Sequence, residues 1–190
     1  MKKQNYFTHR SAFIDSNVKI GKGTKIWHFS HIQSNVEIGK GCSLGQNVNI
    51  GNNVKIGNSV KIQNNVSVYE GVELQDYVFC GPSMVFTNIL YPRSEFPQND
   101  SSFYNKTLVK KSASIGANAT IVCGVKIGKY ALVGAGSVVT KDIPDFGLVV
   151  GNPGRLIGWV DIKGKKLSFS DDGYSLCKNY HFDNNKVMLL

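Results

Sequence analysis

From Ile14 onward an apolar residue stands at every sixth position without a miss: Ile14, Ile20, Ile26, Ile32, Ile38, Leu44, Ile50, Ile56, Ile62, Val68, Leu74, Cys80 and Phe86. Four residues after each comes a small or β-branched partner, from Val18 and Thr24 to Val72 and Val78, with Met84 the large exception. The register resumes at Val109, Ile115, Ile121, Ile127, Val133 and Val139. A period of six fits neither an α-helix nor an alternating strand and marks a stacked repeat. Each hexapeptide supplies one short strand and one corner, with a glycine such as Gly21, Gly39, Gly57 or Gly116 directly after the apolar residue to permit the turn. Three faces close a coil of 18 residues, and successive coils bury one another. The expectation is a mainly β chain built as a parallel β-helix of about six coils over residues 14–156, after a lead-in at 1–13. A short strand-rich cap at 157–190 carries Trp159, Leu167, Phe169 and Tyr180.

The repeat breaks once. Val109 follows Phe86 by 23 residues, five more than three hexapeptides. The stretch 88–107 holds Tyr91-Pro92-Arg93, Phe96-Pro97 and Asn99-Asp100-Ser101-Ser102, and reads as a loop extruded from a corner. A purely structural rod has no need of such a loop, so a binding or catalytic reading stands ahead of a scaffolding one.

Net charge is +9, from 22 Lys and Arg against 13 Asp and Glu, a balance that suits anionic ligands. The basic residues are scattered over corners and strands (Lys19, Lys22, Lys40, Lys55, Lys61) without interleaved aromatics. That favours phosphate-bearing small molecules over nucleic acid. Cys42, Cys80, Cys123 and Cys177 show no paired spacing, and Cys42 and Cys80 fall on inward positions, which suggests buried thiols in a reducing compartment. His28 and His31 are too few for a zinc site, and no metal is expected. The N-terminal ten residues are polar and basic with no apolar run, so no signal peptide or membrane span is read, and a cytoplasmic protein is expected. G-x-S-x-G, Walker and Rossmann motifs are missing, which argues against hydrolase, ATPase and dehydrogenase chemistry.

Residues 18 apart should stack. Trp27, Gly45, Gln63 and Gly81 form one column, His28, Gln46, Asn64 and Pro82 the next, and Phe29, Asn47, Asn65 and Ser83 a third. Asn47 and Asn65 suit a left-handed corner ladder as well as a ligand. His28 or His31 has the ordinary pKa of a general base. His9 and His181 receive no role.

Beyond the bare repeat, the chain carries Trp27-His28-Phe29, Gly45-Gln46-Asn47-Val48, Lys61-Ile62-Gln63-Asn64-Asn65-Val66-Ser67-Val68-Tyr69, residues 78–88 (Val78 to Asn88), Thr107-Leu108-Val109-Lys110-Lys111 and residues 115–124 (Ile115 to Gly124). In these it resembles the left-handed β-helical hexapeptide acyltransferases, and in particular the nucleotide-sugar 3-amino N-acetyltransferases. The resemblance implies a homotrimer with sites between neighbouring prisms. It also implies acetyl-CoA as co-substrate and a UDP- or dTDP-linked amino sugar, made for surface glycans, as acceptor. Gly116, Ala117, Gly134 and Ala135 would let pantetheine approach the backbone, and Lys141 and Arg155 would meet the CoA phosphates. Asn88 would position the amine, with His28 as a second catalytic candidate. Gln63, Asn64, Tyr69, Met84, Phe86 and Arg93 are candidates for the sugar-nucleotide pocket, although Met84 and Phe86 also fall on inward core positions. Gly154 stands where an alanine is usual in the family. Relatives often carry paired cysteines in the tail; Cys177 alone implies no zinc here. With no Rossmann-like domain before Ile14, the 3-amino position is favoured over the 4-amino. Acylation of another small acceptor, or a non-catalytic scaffold, are the alternatives.

Overall fold

The structure is a computed structural model that describes residues 5–184 and 186–190. Short strands of mostly two residues alternate with four-residue corners and stack into three parallel sheets of nine, seven and six strands, the faces of a triangular prism. Face one runs through Phe7–Thr8, Lys25–Ile26, Ser43–Leu44, Lys61–Ile62, Phe79–Cys80, Ser114–Ile115, Leu132–Val133 and Gly147–Val150, closed by the antiparallel Arg155–Trp159. Face two runs from Phe13–Ile14 to Val138–Val139, and face three from Lys19–Ile20 to Lys126–Ile127. Pairing joins residues 18 apart, as in Lys25↔Ser43 and Ser43↔Lys61, so the hexapeptide period is the period of the coil. Among the described residues there is no α-helix.

Every inward residue from Ile26 to Val139 in the apolar series is buried, and they merge into one continuous core. Burying such an aliphatic side chain stabilises the fold by roughly 1.5–3 kcal/mol, before ordering costs. Thr24 and Ser30 are polar at inward places and satisfied: Thr24 Oγ1 donates to Gly39 O at 2.8 Å, and Ser30 Oγ to Gly45 O at 2.9 Å.

The stack begins earlier than the apolar series. Phe7–Thr8 pairs in parallel with Lys25–Ile26, inside the segment read from sequence as a lead-in. Thr8 occupies the inward place six residues before Ile14, and a threonine there conceals the apolar signal. Seven coils result, close to the six expected.

Phe86 and Val109 prove to be consecutive inward residues of one coil. The step that elsewhere takes six residues takes 23 here, and all the excess leaves a single corner between faces two and three. Asn88 O accepts the Asn105 N–H at 2.9 Å and closes the base of this loop. A 3-10 turn, Ser101–Phe103, is capped by Asp100, which accepts the Ser102 N–H at 2.7 Å.

The cap closes the last coil with a second small core. Phe146, Trp159, Tyr180 and Val187 are buried together, with Leu167, Phe169 and Phe182 packed against them. Tyr130 and Phe146 stack at 5.2 Å, so the cap grips the prism through a ring from each of the last two coils. The hairpin Tyr180–Asp183 with Lys186–Leu189 completes it.

Thiol reactivity checks this architecture. Cys42, Cys80 and Cys123 are buried, and burial pushes the Cys80 thiol up to about 12. Cys177 is exposed, and its hydrogen bond with the Ser175 hydroxyl holds it below the ordinary thiol value. Ellman's reagent at pH 8 should modify one thiol rapidly in the native protein and the other three only after denaturation, and Cys177→Ser should abolish the fast phase.

Candidate functional site

The first edge of the prism joins faces one and two, and its columns follow the 18-residue translation. Gln46 N donates to Asn64 Oδ1 at 2.9 Å, and Asn47 Nδ2 to Asn65 Oδ1 at 3.1 Å. The third corner place requires left-handed backbone, with φ of 56° at Phe29 and Asn47, 61° at Asn65 and 57° at Ser83. Asn47 and Asn65 therefore serve the corner, since asparagine tolerates that conformation best among residues with a side chain.

At its lower end the first edge is aromatic. His9 of the first coil stacks on His28 of the second, with ring centroids 3.6 Å apart. Trp27 lies within 8° of parallel to His28, and Phe7 sits 5.4 Å from the indole. Ser11 Oγ accepts the Phe29 N–H at 3.1 Å, so its own hydrogen is available to His9 Nδ1, 2.8 Å away. Desolvation, with repulsion from His28 and Arg10, holds His9 below the ordinary histidine value. Above Trp27 the column continues with Gly45 and Gln63. A cleft of about 360 Å³ opens there, lined by Trp27, His28, Ser43, Gln46, Gln63 and Asn64.

Higher up, the outward column shrinks from His28, Gln46 and Asn64 to Pro82, Ala117 and Ala135. Gly116 and Gly134 stand beside these small residues, but coil contact explains their missing side chains. A Cβ on Gly116 would lie 2.5 Å from Ala135 N, and one on Gly134 2.8 Å from Val150 Cγ1.

The second edge joins faces two and three. It carries the exposed Tyr69 and the half-buried Asn88, whose Nδ2 reaches Glu70 O at 3.5 Å. Arg93 lies out on the loop and donates to Pro92 O at 3.1 Å. At the top of this edge Lys141 and Arg155 share a cleft of about 220 Å³ with Thr140, Asp142 and Pro144. Residues 142–144 also wall a larger cleft of about 570 Å³ that collects Lys110, Lys126 and Lys186.

The candidates therefore divide between two edges of one prism. Gln63, Asn64, Gly116, Ala117, Gly134, Ala135 and His28 lie on the first; Tyr69, Asn88 and Lys141 lie on the second, with Arg93 in its loop and Arg155 beside Lys141. The two catalytic candidates, His28 and Asn88, are three coils apart on different edges and are not brought together within the chain. Met84 and Phe86 are corrected from the pocket to the core: they are 1 % and 0 % exposed, because the period turns both inward. His31 projects from face two and pairs with Asp15 at 3.0 Å. Among the described residues no group of three or more His, Cys, Asp or Glu is arranged for a metal ion, and no helix is long and apolar enough to cross a membrane. Sequence reasoning missed His9 and the Trp27 platform. His9 stands 18 residues before Trp27, but the apolar series that defines the columns starts only at Ile14.

The chain carries hexapeptide repeats that match known family models. The bacterial transferase hexapeptide model (six repeats) matches residues 17–52 and 106–141, and the hexapeptide repeat of succinyl-transferase matches 35–70. Among curated proteins, it is 58 % identical over 69 residues to a dTDP-3-amino-3,6-dideoxy-alpha-D-galactopyranose 3-N-acetyltransferase of Aneurinibacillus thermoaerophilus, over 36 % of each chain. It is 40 % identical over 96 residues to a 2,3,4,5-tetrahydropyridine-2,6-dicarboxylate N-acetyltransferase of Clostridium perfringens, over 50 % of this chain and 37 % of that one. The matches thus span little more than a third of these relatives' lengths. The acetyltransferase domain of PglB from Neisseria gonorrhoeae, solved with acetyl coenzyme A, shares the fold at a TM-score of 0.53 and 19 % identity, over 80 % of this chain and 58 % of that one. WeeI from Acinetobacter baumannii does so at 0.52 and 24 %, over 78 % and 56 %.

The coil-contact reading of the glycines has a direct check. Gly116→Ala drives a methyl into backbone and should cost about 2 kcal/mol or more, in the range of overpacked cores. Gly136→Ala, at φ 69° with open space around it, should cost only about 1 kcal/mol through backbone strain. Urea midpoints of the two variants should separate accordingly.

Proposed function

We propose that this protein is an acetyl-CoA-dependent N-acetyltransferase acting on the 3-amino group of a nucleotide-linked sugar. The observation that carries the reading is the 58 % identity over 69 residues to an enzyme named for that reaction on a dTDP-linked sugar. Support comes from the run of small residues on the first edge, which suits close approach of a thin pantetheine chain, and from Lys141 and Arg155 lining one cleft, which suit phosphates.

In the proposed reaction the amine nitrogen attacks the thioester carbonyl carbon. The C–N bond forms, the C–S bond breaks, and the proton lost from nitrogen ends on the departing sulfur, giving an amide and free CoA. An amine beside electron-withdrawing oxygens is less basic than lysine, so its neutral form is available near pH 7 without a dedicated base. Asn88 then acts as a positioning group: with Nδ2 turned to Glu70 O, its Oδ1 is left to accept from the amine and aim the lone pair. Holding two reactants in line supplies a large part of such a rate.

The reading includes a homotrimer, because the candidates sit on two edges that flank one face. That face, the second, shows Phe13, His31, Asn49, Ser67, Val85, Thr120 and Val138 outward, with no lysine, arginine or carboxylate in its strands. Face three instead alternates Lys19, Glu37, Lys55 and Glu73. Turning the uncharged face toward a threefold axis sets the first edge of one copy against the second edge of the next. The setting we propose is the cytoplasm, supported by the buried, unpaired thiols.

The test is to incubate the protein with acetyl-CoA and a panel of UDP- and dTDP-linked 3-amino and 4-amino sugars, following thiol release and product mass. Acetylation confined to the 3-amino arm is expected, and no release anywhere on the panel overturns the reading. Light scattering should give a mass three times the 20.9 kDa of one chain. Val85→Glu, on the uncharged face, should reduce that mass to that of a single chain and lower the activity at least tenfold.

A further inference from the structure

We propose that the Trp27–His28 platform at the foot of the first edge is the seat of the nucleobase of the nucleotide-linked substrate, with the Gln46 and Gln63 carboxamides reading the base edge. The inference rests on the acceptor class proposed above.

The platform is built before any ligand arrives. Trp27 and His28 are parallel within 8°, and His9 and Phe7 support them from the coil below. A residue 18 positions on lies one strand spacing higher, about 4.8 Å along the prism. The next residue above Trp27 is Gly45, and the one after it is Gln63, so two spacings, roughly 10 Å, separate the indole from the glutamine level. Gly45 leaves the intermediate layer without a side chain, which is room for one flat ring. Its own missing Cβ is enforced by the coil above, where it would meet Asn64 N at 2.8 Å, so the gap is a fixed feature of the stack. Trp27 keeps 39 % of its surface exposed, a large aromatic left uncovered on a fold that buries its other tryptophan to 9 %.

The polar groups around the gap suit a base rather than a plain hydrocarbon. Gln46 and Gln63 line the cleft, and their carboxamides make no hydrogen bond among the described residues, whereas the Asn64 carbonyl is already taken by Gln46 N. A primary amide presents a donor and an acceptor side by side, the complement of the imide edge of uracil or thymine.

Anion recognition lies next to it. Ser43 lines the same cleft, and Lys25 and Lys61 flank it on face one, one coil below and one above, both exposed and neither paired with a carboxylate among the described residues. A flat ring on the platform places its attached diphosphate within range of two unpaired ammonium groups. The Lys141–Arg155 cleft is several coils higher, which leaves the CoA phosphates a separate site.

Fluorescence reads the platform directly, because the chain has two tryptophans and only Trp27 faces the cleft. The variant Trp159→Phe leaves Trp27 as sole reporter, and wild type compared with Trp27→Phe gives the same information if the cap tolerates no change. Titration with dTDP and with UDP should quench Trp27 saturably, while inorganic pyrophosphate should not. Trp27→Ala should raise KM for the sugar nucleotide about tenfold or more, the loss expected for one base–aromatic stack, and leave KM for acetyl-CoA unchanged. Quenching by CoA but by neither pyrimidine nucleotide, equal quenching by pyrophosphate, or no quenching at all overturns the assignment. The two readings fail separately. Quenching without acetyl transfer to any 3-amino sugar keeps the seat and removes the function. Acetyl transfer without nucleotide quenching keeps the function and removes the seat.

Discussion

Hydrogen bonding of each coil onto the next, in register and displaced by 18 residues, is the constraint on which everything else depends. Lys25 N to Cys42 O, Ser43 N to Val60 O and Lys61 N to Val78 O are successive steps of one ladder, each at 2.9 Å. A ladder that repeats brings the backbones of successive coils close together at glycine-bearing corner places such as Gly39, Gly57 and Gly116, where an added side chain would have nowhere to go. The same repetition sets inward residues one above another, so the core is a column of like shapes and not an irregular jigsaw. Stability in such a stack is the sum of neighbour-on-neighbour interfaces. It must be closed at its ends, and the aromatic cluster around Phe146 and Trp159 closes the upper one.

Function enters where the translation is broken or where a column changes character. An edge whose residues were all alike would be a uniform surface. Here the first edge passes from stacked rings through carboxamides to methyl groups within seven coils, so different parts of one long surface are chemically distinct. On the second edge a single corner releases the loop, and Asn88 stands where that loop departs. The rigidity of the coils holds these groups in place without a conventional pocket.

Much of this was legible in the residues before any coordinates. The period of six in Ile14 to Phe86 carries the coil, the faces and the inward set, because a strict repeat admits one stacked solution. The columns headed by Trp27, His28 and Phe29 follow from it by counting. The start of the stack was concealed, because Thr8 replaces an aliphatic residue in the inward series, and with it went His9. The loop was legible too: the 23 residues from Phe86 to Val109 exceed the repeat, and the excess at 88–107 leaves a single corner, as the break in the period implies. Met84 and Phe86 were ambiguous as motif residues, and their burial resolves them as core.

The sequence alone determined the solenoid, its core and the chemical content of each edge, since all three are consequences of periodic position. What only the tertiary structure decided is how neighbouring columns relate: that His9 lies on His28, that Trp27 runs parallel to it below the side-chain-free Gly45, and that Lys141 and Arg155 line one cleft. Those relations depend on ring rotation and on corner geometry. Side-chain torsions are set by local packing between coils and not by spacing along the chain.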